Sequence, residues 1–296
     1  MLAIIAPGQG SQTPGMLNTW IENPELKALI ESWSQAIDLD LLHLGTTADA
    51  EEIKDTANAQ PLIVATSLLG AHALGLTNFA VTSGHSVGEL AAAALSGAIS
   101  SSDALSLVRS RGVEMAKAAA VTPAGMSAVL GGDRNEVLAA IAALNLVAAN
   151  DNGAGQIVAA GDLTALAQLS DNPPASARVR ALAVAGAFHT SYMQPAVEPL
   201  RAQAATIATH PVQINVISNK DGEVVSDGAE VLTRIVNQIA NPVRWDLCME
   251  TLKSLGVTGV IELPPAGTLV GLLKRAASEI ESFALKSADD LPAARE

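Results

Sequence analysis

The chain is poor in several things, and each shortage excludes a class of protein. It holds one cysteine, Cys248, in 296 residues, which excludes an internal disulfide framework and a cysteine-built zinc site. Basic residues are few, 17 Lys and Arg against 30 Asp and Glu. The net charge of −13 excludes the basic stripe that nucleic-acid binders need to displace phosphate counterions. Charged residues of both signs reach only 16% while apolar ones reach 49%, which excludes the disordered class. Aromatics stand at 2%, and much of the apolar fraction is alanine. No basic, apolar leader is visible, since the run after Met1 stops within five residues. With the lone cysteine, that gives the expectation of a cytoplasmic protein. No charge falls between Asp55 and Glu89, a span long enough for a bilayer. Asn58, Gln60, Pro61, His72, Asn78 and His85 interrupt it, so it reads as a buried helix, a strand and a turn.

What is present is an alternation of elements, in a chain long enough for one large domain or a domain with an insertion. A strand is expected over 2–6, helices over 24–37 and 59–74, a strand over 79–83, and helices over 87–96 and 101–119. Asp55, Thr56 and Asn58 are cap candidates for the second helix, and Ser101, Ser102 and Asp103 for the last. The middle changes rhythm: strand 126–130, helix 135–143, strands 146–150 and 156–160, helix 163–169, strand 178–184. That β-α-β-β-α-β order is the split pattern of a ferredoxin-like unit. Beyond it come helix 192–208, strand 213–218, helices 230–239 and 247–255, strand 257–263, and a last helix through Lys274. The fold class is therefore α/β, a mostly parallel sheet with helices on both faces and an inserted small subdomain. The expected division is 1–122 with 187–283, an insert over 123–186, and a loose polar tail over 284–296.

The strongest chemical signal is Gly84-His85-Ser86-Val87-Gly88, a G-x-S-x-G between an expected strand and an expected helix. A serine on so sharp a turn needs glycine on both sides, and the helix start behind it offers amides to an oxyanion. Such a nucleophile needs a base. Of five histidines, His72 reads as a core residue of an apolar helix, and His85 is thrown aside by the turn. His43 and His210 sit near element ends with nothing special around them. His189 follows a strand and precedes a helix, which would bring it to the same sheet edge. Pro7-Gly8-Gln9-Gly10-Ser11-Gln12 fails as a dinucleotide fingerprint because Thr13 stands at the third glycine. It also lacks the Gly-Lys-Ser/Thr of a P-loop, though a strand-end glycine loop can still offer an amide. Arg109 and Arg111 lie about 200° apart on one helix. Either could serve a substrate carboxylate, and spacing does not choose between them.

Together these pieces resemble the malonyl-CoA:acyl carrier protein transacylases and the acyltransferase domains of fatty acid and polyketide synthases. Residues 6–12, Gly84 to Glu89, Arg111, Gly186-Ala187-Phe188-His189 and Asn241-Pro242-Val243-Arg244-Trp245 carry the likeness in order. The details resemble the standalone actinobacterial form. The resemblance implies a hydrolase-like large subdomain, Ser86 as nucleophile and His189 as base. It implies oxyanion amides on Gln9 and Val87, and Arg111 as the holder of the malonyl carboxylate. It also implies a backbone carbonyl, at Gln238, that orients the histidine in place of an acid. Phe188, directly before the histidine, would mark a malonyl user over a methylmalonyl user. The implied partners are malonyl-CoA and an acidic acyl carrier protein, with no nucleic acid, membrane, metal or redox cofactor. Docking candidates are Lys117, Arg178, Arg180, Lys274 and Arg275. Two departures stand out: Val87 where leucine is commoner, and Pro264-Pro265-Ala266-Gly267 where the family has Gly-Pro-Gly. The rivals are a serine esterase or thioesterase of α/β-hydrolase type, which needs an acidic triad member between Ser86 and His189 where none is marked by its setting, and a non-catalytic carrier-docking module, which intact Ser86 and His189 argue against.

Overall fold

A computed structural model describes all 296 residues. Its first strand, β1 (Leu2–Ala6), is buried on both faces. Ala3 and Ile5 enter one apolar cluster and Ile4 and Ala6 a second, larger one. A near-continuous apolar strand of this kind belongs inside a parallel sheet covered on both sides. Next come α1 (Pro24–Ile37), α2 (Leu41–Thr46) and α3 (Thr56–Leu74). The Asn23 and Asp55 side chains cap α1 and α3 by accepting the Glu25 and Ala57 amides. After these, β2 (Val81–Gly84) turns directly into α4 (Gly88–Leu95), and α5 (Ser101–Val121) follows. Ser100, one residue before the expected caps, accepts the Asp103 amide at 3.0 Å and starts α5. No helix is long and apolar enough to cross a membrane.

The middle section holds β3 (Gly125–Gly131), α6 (Arg134–Ala143), β4 (Val147–Asp151), β5 (Gln156–Gly161), α7 (Leu163–Asp171) and β6 (Ala177–Ala181). The chain returns through α8 (Gln194–Ala204), β7 (Asn215–Ile217), β8 (Val224–Val225) and α9 (Gly228–Gln238). It ends with β9 (Val243–Arg244), α10 (Trp245–Ser254), β10 (Gly259–Glu262), α11 (Thr268–Ala276), β11 (Glu281–Ala284) and α12 (Leu291–Ala294). The large sheet runs β11-β10-β1-β2-β7-β8, parallel except for the β7–β8 pair. The small sheet runs β6-β3-β5-β4-β9, antiparallel except for the β4–β9 pair.

Two expectations need correction. The small sheet does not close within 123–186, because Val243 and Arg244 pair with Asn150 and Asp151 as a fifth strand. Met126, Ala149 and Val158 also join the large core cluster, so one face of the insert packs into the main body. The segment over 284–296 is not loose. Leu285 is fully buried, Ala288 N–H donates to Thr19 Oγ1 at 3.1 Å, and the Arg295 guanidinium donates to the Ala73 and Leu74 carbonyls at the end of α3.

Candidate active site

Strands β1, β2 and β7 end together at the carboxyl edge of the large sheet, where parallel α/β sheets keep their sites. The turn from β2 into α4 is so tight that a Cβ on Gly84 would overlap the Gly88 backbone, and one on Gly88 the Ala6 carbonyl. Only glycine fits at either position, which is the physical content of the G-x-S-x-G pattern. Between them Ser86 takes φ 53°, a left-handed conformation uncommon for a residue with a Cβ. Its Oγ projects toward His189 Nε2 at 2.8 Å.

His189 also has a positive φ, 61°, and its N–H donates to the Ile239 carbonyl. Its Nδ1 lies 2.8 Å from the Gln238 carbonyl, which can only accept. The proton therefore sits on Nδ1, leaving Nε2 free to accept from the serine hydroxyl. Gln238 is the last residue of α9, where helix carbonyls lack intrahelical partners. Its side chain donates to the Asn241 and Pro242 carbonyls, locking the following turn. Burial first, and then the Arg111 charge, pushes His189 down to about 3, so the ring is neutral and ready to take a proton. An esterase triad would need a carboxylate where this carbonyl stands.

The choice between the two arginines is made by direction. Arg109 Nη1 donates to the Ala57 carbonyl at 3.0 Å, away from the serine. Arg111 is 1% exposed, donates to Gln60 Oε1 at 2.6 Å and to Ser86 Oγ at 3.3 Å, and forms no salt bridge. Its Nε has no partner at all. Burial lowers Arg111 to about 10, which still leaves it charged at neutral pH. Glu89, whose charge interacts with that of Arg111, is itself pushed up to about 8 by burial and is mostly uncharged at neutral pH. The Arg111 guanidinium is thus buried beside a serine with no salt bridge to an acid, an arrangement that could accept a carboxylate.

The Gln9 and Val87 amides have no acceptor in the chain, unlike neighbouring Gly10 and Gly88, whose amides are taken. Gln9 lines the cleft, while the Val87 side chain is buried in the core and leaves only its backbone to the site. Phe188 is both a wall of the cleft and a member of the large core cluster. The cleft, about 240 Å³, lies between the two sheets, with Ala128 and Val158 facing Thr268 and Leu269. None of residues 264–267 lines it. Their turn is held from behind, by Ser67 Oγ donating to the Pro264 carbonyl and by the Glu262 carboxylate accepting three amides.

The remaining histidines take no part in the dyad. His85 Nε2 donates to Asn152 Oδ1 at 2.8 Å, and the ring sits edge-on to Trp245. His43 and His210 are on the surface, and so is His72, against the core position expected for it. In the last turn of α3, His72 faces outward while Leu74 stays in the core. Three site residues had no sequence signal strong enough to select them: Gln60, which braces Arg111; Asn152, which holds His85; and Asn219, whose Oδ1 accepts the Ser86 amide at 2.7 Å. A polar residue just past the end of β7 was the only hint for Asn219. No group of His, Cys, Asp and Glu side chains is arranged to hold a metal ion.

The family model described as "acyl transferase domain" matches residues 4–294. The chain is 53% identical over 296 residues to the malonyl CoA-acyl carrier protein transacylase of Mycobacterium tuberculosis, covering 98% of both chains. The crystal structure of MCAT from Mycobacterium tuberculosis superposes with a TM-score of 0.97 at 52% identity over the whole of both chains. A type II PKS acyl-carrier protein in complex with its malonyl-transacylase gives a TM-score of 0.92 at 28% identity, covering 99% of this chain and 98% of that one.

Proposed function

The chain belongs to the acyl transferase domain family, and from that premise we propose that it moves a malonyl group from malonyl-CoA to the phosphopantetheine thiol of an acyl carrier protein, supplying fatty acid synthesis. The observation that carries the reading is the buried Arg111 guanidinium, in no salt bridge and 3.3 Å from Ser86 Oγ. In the first half-reaction His189 Nε2 takes the serine proton as Oγ attacks the thioester carbon. The Gln9 and Val87 amides receive the oxyanion. The C–S bond breaks, coenzyme A leaves with the proton from His189, and a malonyl-serine ester remains. In the second, the carrier thiol gives its proton to His189 and its sulfur attacks the ester. The C–O bond then breaks and Ser86 recovers its proton. Arg111 holds the free carboxylate throughout. The reaction draws nucleophile, base, oxyanion donors and counter-cation from the chain itself, and calls for no metal or redox cofactor. We place it in the cytoplasm, where one buried cysteine and a coenzyme A substrate fit.

The architecture is read in the same terms. The order β6-β3-β5-β4, with helices after β3 and β5, supports a ferredoxin-like small unit. The strand–Ser86–helix turn on a parallel sheet supports a hydrolase-like large one. The division is then 1–122 with 187–283 against 123–186, joined through β9.

Incubation with radiolabelled malonyl-CoA, followed by a chase with carrier protein, tests the function. The expected result is a stable label on wild-type protein, none on Ser86→Ala, and transfer of the label to the carrier. Steady release of free malonate would make the protein an esterase, and no label at all would leave a docking module.

A further inference from the structure

Asn219 is fully buried, and each of its hydrogen-bonding groups other than the backbone carbonyl is engaged around the nucleophile turn. Its Oδ1 accepts the Ser86 N–H at 2.7 Å, its Nδ2 donates to the Gly84 carbonyl at 2.8 Å, and its own N–H donates to Glu89 Oε1 at 2.8 Å. One carboxamide thus grips the turn on both sides of His85, from a strand end 133 residues along the chain. The Cys248 thiol, 3.6 Å from Nδ2, closes the far side of the amide.

Ser86 needs such a grip. A left-handed conformation is unfavourable for a residue with a Cβ and persists only where its surroundings over-determine it. If φ relaxed to negative values, Oγ would swing away from both His189 Nε2 and Arg111 Nη2. The grip also has a consequence for the oxyanion. The Ser86 amide is committed to Asn219, so the free amides beside the nucleophile are those of Gln9 and Val87. Holding one N–H and one C=O at once requires a donor and an acceptor on a single planar group, which asparagine has and aspartate lacks.

We propose that Asn219 is a positioning residue for the nucleophile: it clamps Ser86 in the left-handed conformation that aims Oγ at His189, and it keeps the Ser86 amide out of the oxyanion site. The proposal rests on Ser86 being the nucleophile, and its test reads serine reactivity without malonyl recognition. The probe is phenylmethylsulfonyl fluoride, with the rate of Ser86 sulfonylation followed by intact mass on wild type, Asn219→Ala and Asn219→Asp. KM and kcat for malonyl-CoA and the melting temperature are recorded beside it. Sulfonylation and kcat should fall together, on the order of 100-fold for Asn219→Ala, the loss expected when a reacting atom drifts by about 1 Å. The near-isosteric Asn219→Asp keeps the acceptor and loses one hydrogen bond, so it should fall on the order of tenfold. KM should move less than about threefold, since Arg111 is untouched. If the variants melt lower while their folded molecules react at the wild-type rate, the role is structural and the clamp is overturned. If Asn219→Ala does not fold, a wild-type rate in Asn219→Asp has the same meaning. A wild-type Ser86 that resists sulfonylation would overturn the nucleophile assignment, and the clamp with it.

Discussion

Two residues in the site hold backbone strain, Ser86 at φ 53° and His189 at φ 61°, and they are the two that hydrogen-bond to each other. Strain concentrated on this pair is stabilised from outside: Asn219 holds the serine, and the Ile239 and Gln238 carbonyls hold the histidine. Phe188 lies beside that pair with two duties, cleft wall and core packing, so Phe188→Ser should show two effects. Loss of the buried ring should lower stability by up to roughly 3–5 kcal/mol. The opened wall should shift the ratio of kcat/KM for methylmalonyl-CoA over malonyl-CoA upward by about tenfold. A folded variant with the ratio unchanged would show that the ring does not gate the α-carbon. Ser86 and His189 were legible in the sequence because their local settings are restrictive: a glycine on each side of the one, a strand before and a helix after the other. Arg111 was not separable from Arg109 by spacing, since two side chains about 200° apart offer a cleft two equal choices. Gln60 and Asn219 act across 51 and 133 residues of chain, and no local pattern marks such partners.

At the scale of elements, the alternation of strands and helices was readable wherever an element buries a face. The predicted and observed bounds of β1 and α1 coincide, because one is apolar throughout and the other opens with Asn23-Pro24. The elements that sequence reading missed are short or half-exposed. The β9 strand is two residues long and exists only because Val243 and Arg244 meet the end of β4. The β11 strand carries Glu281 and Ser282 and completes the sheet edge beside β10. After it, the polar segment is held by Leu285, Ala294 and the Arg295 guanidinium, too few anchors to stand out in composition. Where the chain must pass close to itself, as at Gly84 and Gly88, the reading was firm, because sterics permit one residue type. Where pairing between distant segments decided the element, it was not.

The whole molecule carries −13 and keeps one cation, Arg111, buried at the site without a salt bridge. An acidic carrier protein gains nothing from the overall field, so docking falls to local cations. Lys117 is held by Glu114 at 2.6 Å and is the weakest of the five candidates. Arg178 and Arg180 are exposed on β6, just before Leu182 and Val184 of the cleft wall, and Lys274 and Arg275 follow Leu272 on α11. Reversing both β6 arginines to glutamate should raise KM for the carrier by about tenfold while malonyl-CoA labelling stays intact. An unchanged carrier KM would move docking elsewhere. The central cation bears on the account as a whole, because the proposed function assigns it the malonyl carboxylate. The direct measurement compares Arg111→Ala with wild type in the rates of Ser86 acylation by malonyl-CoA and by acetyl-CoA. Malonyl transfer should fall by roughly 100-fold or more, the cost of losing a buried ion partner, while acetyl transfer changes only a few-fold. Equal losses for the two substrates would contradict the account, leaving Arg111 a structural residue and the carboxylate without its reader.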